Sequence, residues 1–425
     1  MQNVTAKTIL RLFSALIVLL VVINGITWIR WPLQKSTLDK HFRPEENAPE
    51  YAGWDEDICN HLLYCYTLGA WELNPGLTKT MIHERREVDK KILENLGFPK
   101  ELHREDGRCG QINRLFPSGL PSLCDEESEK PCCNEATGFC GNSNVDCLCP
   151  DCKDFSKYFA AELAEWKPSS QECPFERFQS ESTCALLDEH VSDLVFIGDS
   201  FIGHLFLALT LLITGDPLRG ALRSTLSEEE KEQCSGEMQF FPGKHSCHLK
   251  LIRDWEELDT NQLCNGKARF KTHFVEAYSV NQFPSAVKTV KSLLGKRKAI
   301  IVLGVGIHIH LNATMVIAKY LMPFLSLIEN SGDDRPLLIW ANIHQVDNFL
   351  TSDSVKNYSP IAKFNEEMSK FCRARNIPVF ETSTVTRDIK SNDGQHVGYG
   401  GNMAKVQILL NYLKSRFETC QSSEH

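Results

Sequence analysis

Three short motifs in the C-terminal half carry side chains that could do chemistry together. Gly198-Asp199-Ser200 follows the apolar run Asp193-Leu194-Val195-Phe196-Ile197 and precedes an apolar stretch reaching to about Thr214. A serine where a buried strand passes into a helix lies beside free backbone N–H groups, and the helix dipole there favours developing negative charge. The N–H of Ser200 can face an oxyanion. Serine is a poor nucleophile without a base, and Asp393-Gly394-Gln395-His396 supplies one. A three-residue offset across a turn lets carboxylate and imidazole converge, so Asp393 would fix the tautomer of His396 while His396 takes the Ser200 proton. Gly304-Val305-Gly306-Ile307-His308 ends another apolar run. Gly198, Asp199, Gly304, Gly306 and His308 are assigned to the oxyanion or substrate-binding surroundings. Singly, each motif has a plainer reading: Asp or Ser at a strand–helix junction is most often an N-cap, and Asp-Gly is most often a turn.

The elements that must position these residues show in the apolar pattern. Asp193–Ile197, Ala299–Leu303, Leu337–Trp340 and Pro378–Glu381 read as strands. Helices are expected from Ala313 to about Glu329, from Ser359 to Asn376 and from about Asn402 to Phe417. Strands alternating with helices predict a parallel sheet covered on both faces. Ligands of such sheets bind at the carboxyl ends of the strands, where the serine and the Gly-x-Gly motif both fall.

With the serine after the first strand, Gly-x-Gly after a middle strand and Asp-x-x-His after the last, residues 173–420 resemble the SGNH (GDSL-like) hydrolases. The resemblance is closer to their PC-esterase branch, which includes the neurexophilin-and-PC-esterase proteins; the segment Asp393–Cys420 is similar to that branch's ending. It implies a three-layer α/β/α domain with a parallel sheet and an acyl-serine on Ser200, with His396 and Asp393 as its partners. It implies a glycan or glycoconjugate substrate, since some relatives add and others remove O-acetyl groups. No cofactor is implied; a transferase would use an acyl donor such as acetyl-CoA. Relatives carry Arg and Gln where Gly203 and His204 stand here, and the Gly-x-Asn-Asp block of ordinary SGNH enzymes is absent. The second oxyanion donor is therefore open. Asn312 could donate an amide, yet Asn312-Ala313-Thr314 is also a glycosylation sequon, as is Asn357-Tyr358-Ser359. His308 and His310, two apart on an extended segment, lack a third ligand. They are read as hydrogen-bonded structural histidines, with His308 near enough to touch substrate, and no metal site is expected.

Upstream, eight of the 17 cysteines fall between Cys109 and Cys152. A segment this short cannot bury much apolar area, so disulfides must stabilise it; sequence alone does not choose their pairing. The run Cys132-Cys133-Asn134-Glu135-Ala136-Thr137-Gly138-Phe139-Cys140-Gly141 resembles the hevein-type chitin-binding knot. In that resemblance Phe139 is the one aromatic kept for a sugar contact, Asn134 stands at the family's serine position and Asp146 at an aromatic one. Two readings stay open: a structural knot, or a sugar-binding one. Zinc on Cys147-x-Cys149-x-x-Cys152 is a third, less suited to a secretory compartment. Elsewhere Cys173–Cys184 and Cys59–Cys65 are expected local pairs, and the odd total leaves at least one thiol free or bridging chains if the knot pairs internally. Residues 59–108 read as helical, with Lys79–Asn95 a solvated helix bearing one apolar stripe.

Leu12–Ile29 is 18 residues without a charge, enough to span a bilayer. The alternative is a cleaved signal peptide, whose apolar region is normally shorter and which would need an A-x-A-like site that does not follow here. The expectation is a cytosolic tail over 1–11, a transmembrane signal anchor over 12–31, a stalk and helical segment over 32–108, the cysteine module over 109–152 and the α/β domain over 173–420. The cysteine load places the body in an oxidising compartment, so the chain is expected to be a single-pass type II membrane protein of the Golgi lumen or cell surface. A net charge of −9 without a basic stripe excludes nucleic acid as a partner. Two function classes remain: a membrane-anchored carbohydrate O-acyl (acetyl) transferase or esterase working through an acyl-serine, or a catalytically inactive SGNH-like glycan- or protein-binding membrane protein.

Overall fold

The computed structural model describes residues 57–115, 119–149, 151–241, 243–257, 263–332, 334–345 and 358–419, all within the unit Gly53–His425. The anchor expected over 12–31, the tail before it, most of the stalk and the sequon residue Asn357 lie outside the described residues. Among those described, no helix is long and apolar enough to cross a membrane.

Helix α1 (Asp57–Thr67), strand β1 (Gly69–Leu73) and helix α2 (Lys79–Leu96) come first. Thr78 caps α2 by accepting the Met81 N–H, and Gly97 ends it in the left-handed conformation that glycine adopts without strain. Two expectations fail in this stretch. The segment 59–108 is not uniformly helical, because β1 pairs with a strand nearly a hundred residues later. Nor is α2 solvated throughout: Asp89 is buried, and the Arg85 side chain is only 9% exposed.

The cysteine module holds strands β2 (Gly110–Leu115), β3 (Leu120–Ser122), β4 (Cys132–Asn134), β5 (Phe139–Gly141) and β6 (Cys152–Asp154). Its eight cysteines pair internally as Cys109–Cys133, Cys124–Cys140, Cys132–Cys147 and Cys149–Cys152. Bonded sulfurs are not thiolates, so the zinc alternative falls. Strand β7 (Ala164–Pro168) then returns antiparallel to β1, setting Trp71 opposite Trp166 with rings 5.7 Å apart and edge to face. Among the described residues the pairs outside the module are Cys65–Cys173, Cys184–Cys264 and Cys234–Cys247, in place of the expected Cys173–Cys184 and Cys59–Cys65. Chain proximity misleads here because tertiary packing, not loop length, brings these sulfurs together. Cys372 is free and buried.

The α/β region runs α3 (Ser180–His190), β8 (Asp193–Gly198), α4 (Ser200–Thr214), β9 (Lys271–Glu276), α5 (Phe283–Leu293), β10 (Ala299–Gly304), α6 (Met322–Glu329), β11 (Leu337–Ala341), α7 (Tyr358–Arg373), β12 (Val379–Phe380) and α8 (Tyr399–Thr419). The strands form one five-stranded parallel sheet in the order β12-β11-β10-β8-β9. Every residue of β8 and β10 is buried, the signature of a central parallel strand. Leu194 and Phe196 face a core built with α3, α4 and α8, while Val195 and Ile197 face α5, α6 and α7. Each such side chain contributes roughly 1.5–3 kcal/mol on burial. The result is a mixed α/β fold with helices on both faces of the sheet.

Candidate active site

Strand β8 ends at Gly198, Asp199 is the N-cap, and Ser200 is the first residue of α4. The Asp199 carboxylate is buried and accepts the Phe201 N–H at 3.1 Å. Burial pushes this carboxyl up to about 7, against the pull of the Phe201, Ile307 and Gly306 N–H groups and of His396. Asp199, 2% exposed, is thus part of the frame that holds the turn. The same holds for the glycines. A Cβ on Gly198 would stand 2.2 Å from the Gly304 carbonyl oxygen and 2.5 Å from Ile202. One on Gly304 would meet Ile202 at 2.6 Å, and one on Gly306 would meet the Phe364 ring at 2.6 Å. Gly198 and Gly304 let β8, β10 and α4 close together, and Gly306 lets the turn after β10 pass against the Phe364 ring. Gly198→Ala is therefore expected to cost about 1–3 kcal/mol through overpacking, measured by denaturant unfolding, and to displace Ser200.

The partner loop lies between β12 and α8. Gly394 takes a left-handed φ of 74°, turning the chain so that Asp393 and His396 face each other. Oδ1 of Asp393 accepts the N–H groups of Gln395 (2.8 Å) and His396 (2.7 Å), and the Ser391 hydroxyl donates to the His396 carbonyl. Oδ2 lies 2.7 Å from His396 Nδ1, and His396 Nε2 lies 2.8 Å from Ser200 Oγ. A carboxylate only accepts, so Nδ1 carries the proton and Nε2 is left to accept from the serine hydroxyl. Burial alone would raise Asp393; the His396 charge and the hydrogen bonds from His396 and Gln395 outweigh it and hold the carboxyl at about 2. Because this value is depressed below the ordinary 3.8, the ionised Asp393 stabilises the fold above that pH, and the contribution disappears as pH falls through about 2. An acid titration of Tm should show that loss in the native protein and not in Asp393→Asn.

Other groups close around this chain. His204, one helical turn beyond Ser200, sets its ring 4.7 Å from the His396 ring. His344 lies 2.8 Å through Nε2 from the Gln395 carbonyl oxygen, steadying the turn, and its ring lies 3.7 Å from that of Phe201. Burial pushes both imidazoles well below their usual range, so they stay neutral beside His396. Lys405 on α8 is 1% exposed, and burial lowers it to about 7 against the pull of Asp199. The position of His344 just past the end of β11 could have marked it, since parallel-sheet sites gather there; nothing local marks Lys405.

His308 lies exposed on a tight turn, Ile307–Ile309, and meets the Tyr278 ring edge-on at 4.9 Å. His310 is exposed at φ 52°. The two do not share an extended face, because the turn breaks the register. Asn312 is exposed and caps the next helix by accepting the Met315 N–H at 2.9 Å, which suits a surface sequon better than an oxyanion donor. Phe139 is half exposed on β5, with the Arg108 guanidinium 5.4 Å from its ring centre.

No protein-family model and no curated protein matches the chain. Among solved structures it is similar to a member of the lipolytic protein G-D-S-L family from Veillonella parvula DSM 2008, at 13% identity over 54% of this chain and 99% of that one, with a TM-score of 0.31. It is also similar to the YxiM protein from Bacillus subtilis, at 11% identity over 54% of this chain and 58% of that one, with a TM-score of 0.29. Likenesses this faint leave the reading of the site to its own geometry.

Proposed function

We propose that the protein is a serine-dependent O-acyltransferase or esterase acting on glycans, built on an SGNH-like fold of the PC-esterase kind. The observation that carries this reading is the unbroken hydrogen-bonded chain from Ser200 through His396 to Asp393 at the carboxyl end of a parallel sheet. Ser200 Oγ attacks an acyl carbonyl as its proton passes to His396 Nε2, and the carbon–oxygen or carbon–sulfur bond to the donor breaks as that proton moves to the leaving group. The Ser200 N–H at the start of α4 faces the developing oxyanion. His396 then takes a proton from water or a sugar hydroxyl, which attacks the acyl-serine and restores Ser200. Asp393 holds the tautomer and stabilises the imidazolium throughout. Neutral His204 and His344 add no repulsion when that imidazolium forms. A Golgi-type anchor over 12–31 and a luminal body suit glycan substrates, and seven disulfides among the described residues agree with an oxidising compartment.

The cysteine module serves in this reading as a structural knot rather than a sugar grip. Asn134 uses its side-chain oxygen on the Ala136 and Thr137 N–H groups, and Asp146 accepts the Asn142 N–H, leaving Phe139 as a lone aromatic face. The inactive-scaffold alternative rests on the sequence, where Gly203 and His204 stand in place of the Arg and Gln of relatives and the Gly-x-Asn-Asp block is absent. A fluorophosphonate probe separates the two. It should label the protein at Ser200 and leave Ser200→Ala unlabelled; an unlabelled native protein would sink the acyl-serine.

A further inference from the structure

The loop carrying Asp393 and His396 is held at both ends by carboxylates, and the carboxylates converge on one guanidinium from far upstream. Arg85 on α2 bonds through Nε to Asp89 Oδ1 at 3.0 Å and through one terminal nitrogen to Glu237 Oε1 at 2.8 Å. The same nitrogen lies 3.5 Å from Glu162 Oε2. Asp89 accepts the Asn392 side-chain amide at 3.2 Å, beside Asp393, and lies 3.9 Å from Lys390 Nζ. At the other end Glu237 Oε2 accepts the Tyr399 N–H at 3.0 Å, and Glu162 Oε1 accepts the Gly400 N–H at 2.7 Å. Those are the first two residues of α8, whose dipole also favours the two glutamates.

The glycines of His396-Val397-Gly398-Tyr399-Gly400 fit this arrangement. A Cβ on Gly398 would stand 2.8 Å from Glu237 Oε2 and 3.0 Å from Glu162 Oε1, and one on Gly400 would meet the Glu162 backbone nitrogen at 2.5 Å. Their absence lets both carboxylates reach the backbone between His396 and α8. Burial, and then the Glu162 charge, push the Glu237 carboxyl upward, and Arg85 is the cation that opposes both.

We infer that Arg85 is a positioning residue: its guanidinium gathers Asp89, Glu162 and Glu237 so that they hold the loop with His396 in hydrogen-bond contact with Ser200. This rests on the acyl-serine reading for its consequence in turnover. Removing Arg85 leaves three clustered carboxylates without their shared cation, and they separate or take up protons. Either change releases the loop, and a shift of about 1 Å at a reacting group can cost about a hundredfold in rate. Lysine keeps the charge but offers a point donor in place of the planar fork, so it should restore only part of the function.

The test uses the full-length protein and p-nitrophenyl acetate, a small ester with few remote contacts. Arg85→Ala should lower kcat about a hundredfold with KM near the native value. Arg85→Lys should fall between the two, and Arg104→Ala, which breaks only an exposed pair with Asp106, should match the native enzyme. Methylguanidinium should restore part of the rate of Arg85→Ala and none of Ser200→Ala. By proton NMR the strongly deshielded His396 Nδ1 signal should be present in the native protein and lost in Arg85→Ala. A native kcat in Arg85→Ala, or a lowered kcat with the deshielded signal intact, would overturn the proposal. If Arg85→Ala does not fold, Gly398→Ala decides, since full kcat there would also overturn it. If the native protein shows no Ser200-dependent turnover, the acyl-serine reading fails, and the presence or loss of the deshielded signal still decides whether Arg85 positions His396.

Discussion

Ser200→Ala should lower turnover of an acyl substrate by about four to six orders of magnitude, and His396→Ala should do nearly the same. The double variant should lose little more, because the two residues act as one unit: the serine hydroxyl is nucleophilic only while His396 Nε2, 2.8 Å away, accepts its proton. Asp393→Asn should cost about four orders. An amide at 2.7 Å from Nδ1 can donate to it, which favours the tautomer with the proton on Nε2 and turns the base away from the serine. These effects should appear in kcat with the fold intact, since Ser200 lies partly open at the start of α4 and its hydroxyl supports no core contact. Steady-state kinetics on the purified variants, with Tm measured alongside, checks the set. Comparable residual turnover in Ser200→Ala and native protein would remove the acyl-serine from consideration.

Opening the Cys65–Cys173 bridge by substituting both cysteines with alanine should be the most costly change to stability. The bridge spans a sequence separation of 108, and in the chain-entropy model closing so long a loop is worth about 5 kcal/mol. That is a large share of the 5–15 kcal/mol or so by which a folded domain is stable. The closed loop contains β1, α2, the cysteine module and β7, so it also holds Arg85, Glu162 and the module residue Glu126 against the Asp393–His396 loop. Activity should therefore fall as the segment loosens, before global unfolding. Cys149–Cys152 is the control: with a separation of 3, its loss should cost less than half as much. Denaturant unfolding of the oxidised proteins measures both, and equal shifts would contradict the loop-length argument.

What the sequence determined by itself was the set of chemical groups and the central strands. The apolar runs at 194–197, 299–303 and 337–340 are legible because a parallel strand covered on both faces reads as a near-continuous apolar stretch, a local pattern needing no partner. The Gly-Asp-Ser turn, the Asp-Gly turn and the density of cysteines in the module are local signals too, though their pairing is not. Strand β9 escaped notice because an edge strand mixes Lys271, Thr272 and His273 with apolar residues. Strand β1 escaped because its partner, β7, lies across the cysteine module. Tertiary structure alone decided which glycines frame the site, that Cys65 bonds Cys173 and Cys184 bonds Cys264, and that a charged helix read as solvated turns Arg85 inward onto the loop of His396. Ser200 and His396 stand 196 residues apart, and their hydrogen bond exists because a parallel sheet delivers both chain segments to one edge. Residue type and periodicity are properties of neighbours along the chain, whereas proton transfer, disulfide pairing and charge clustering depend on separations in space that only the packed fold sets.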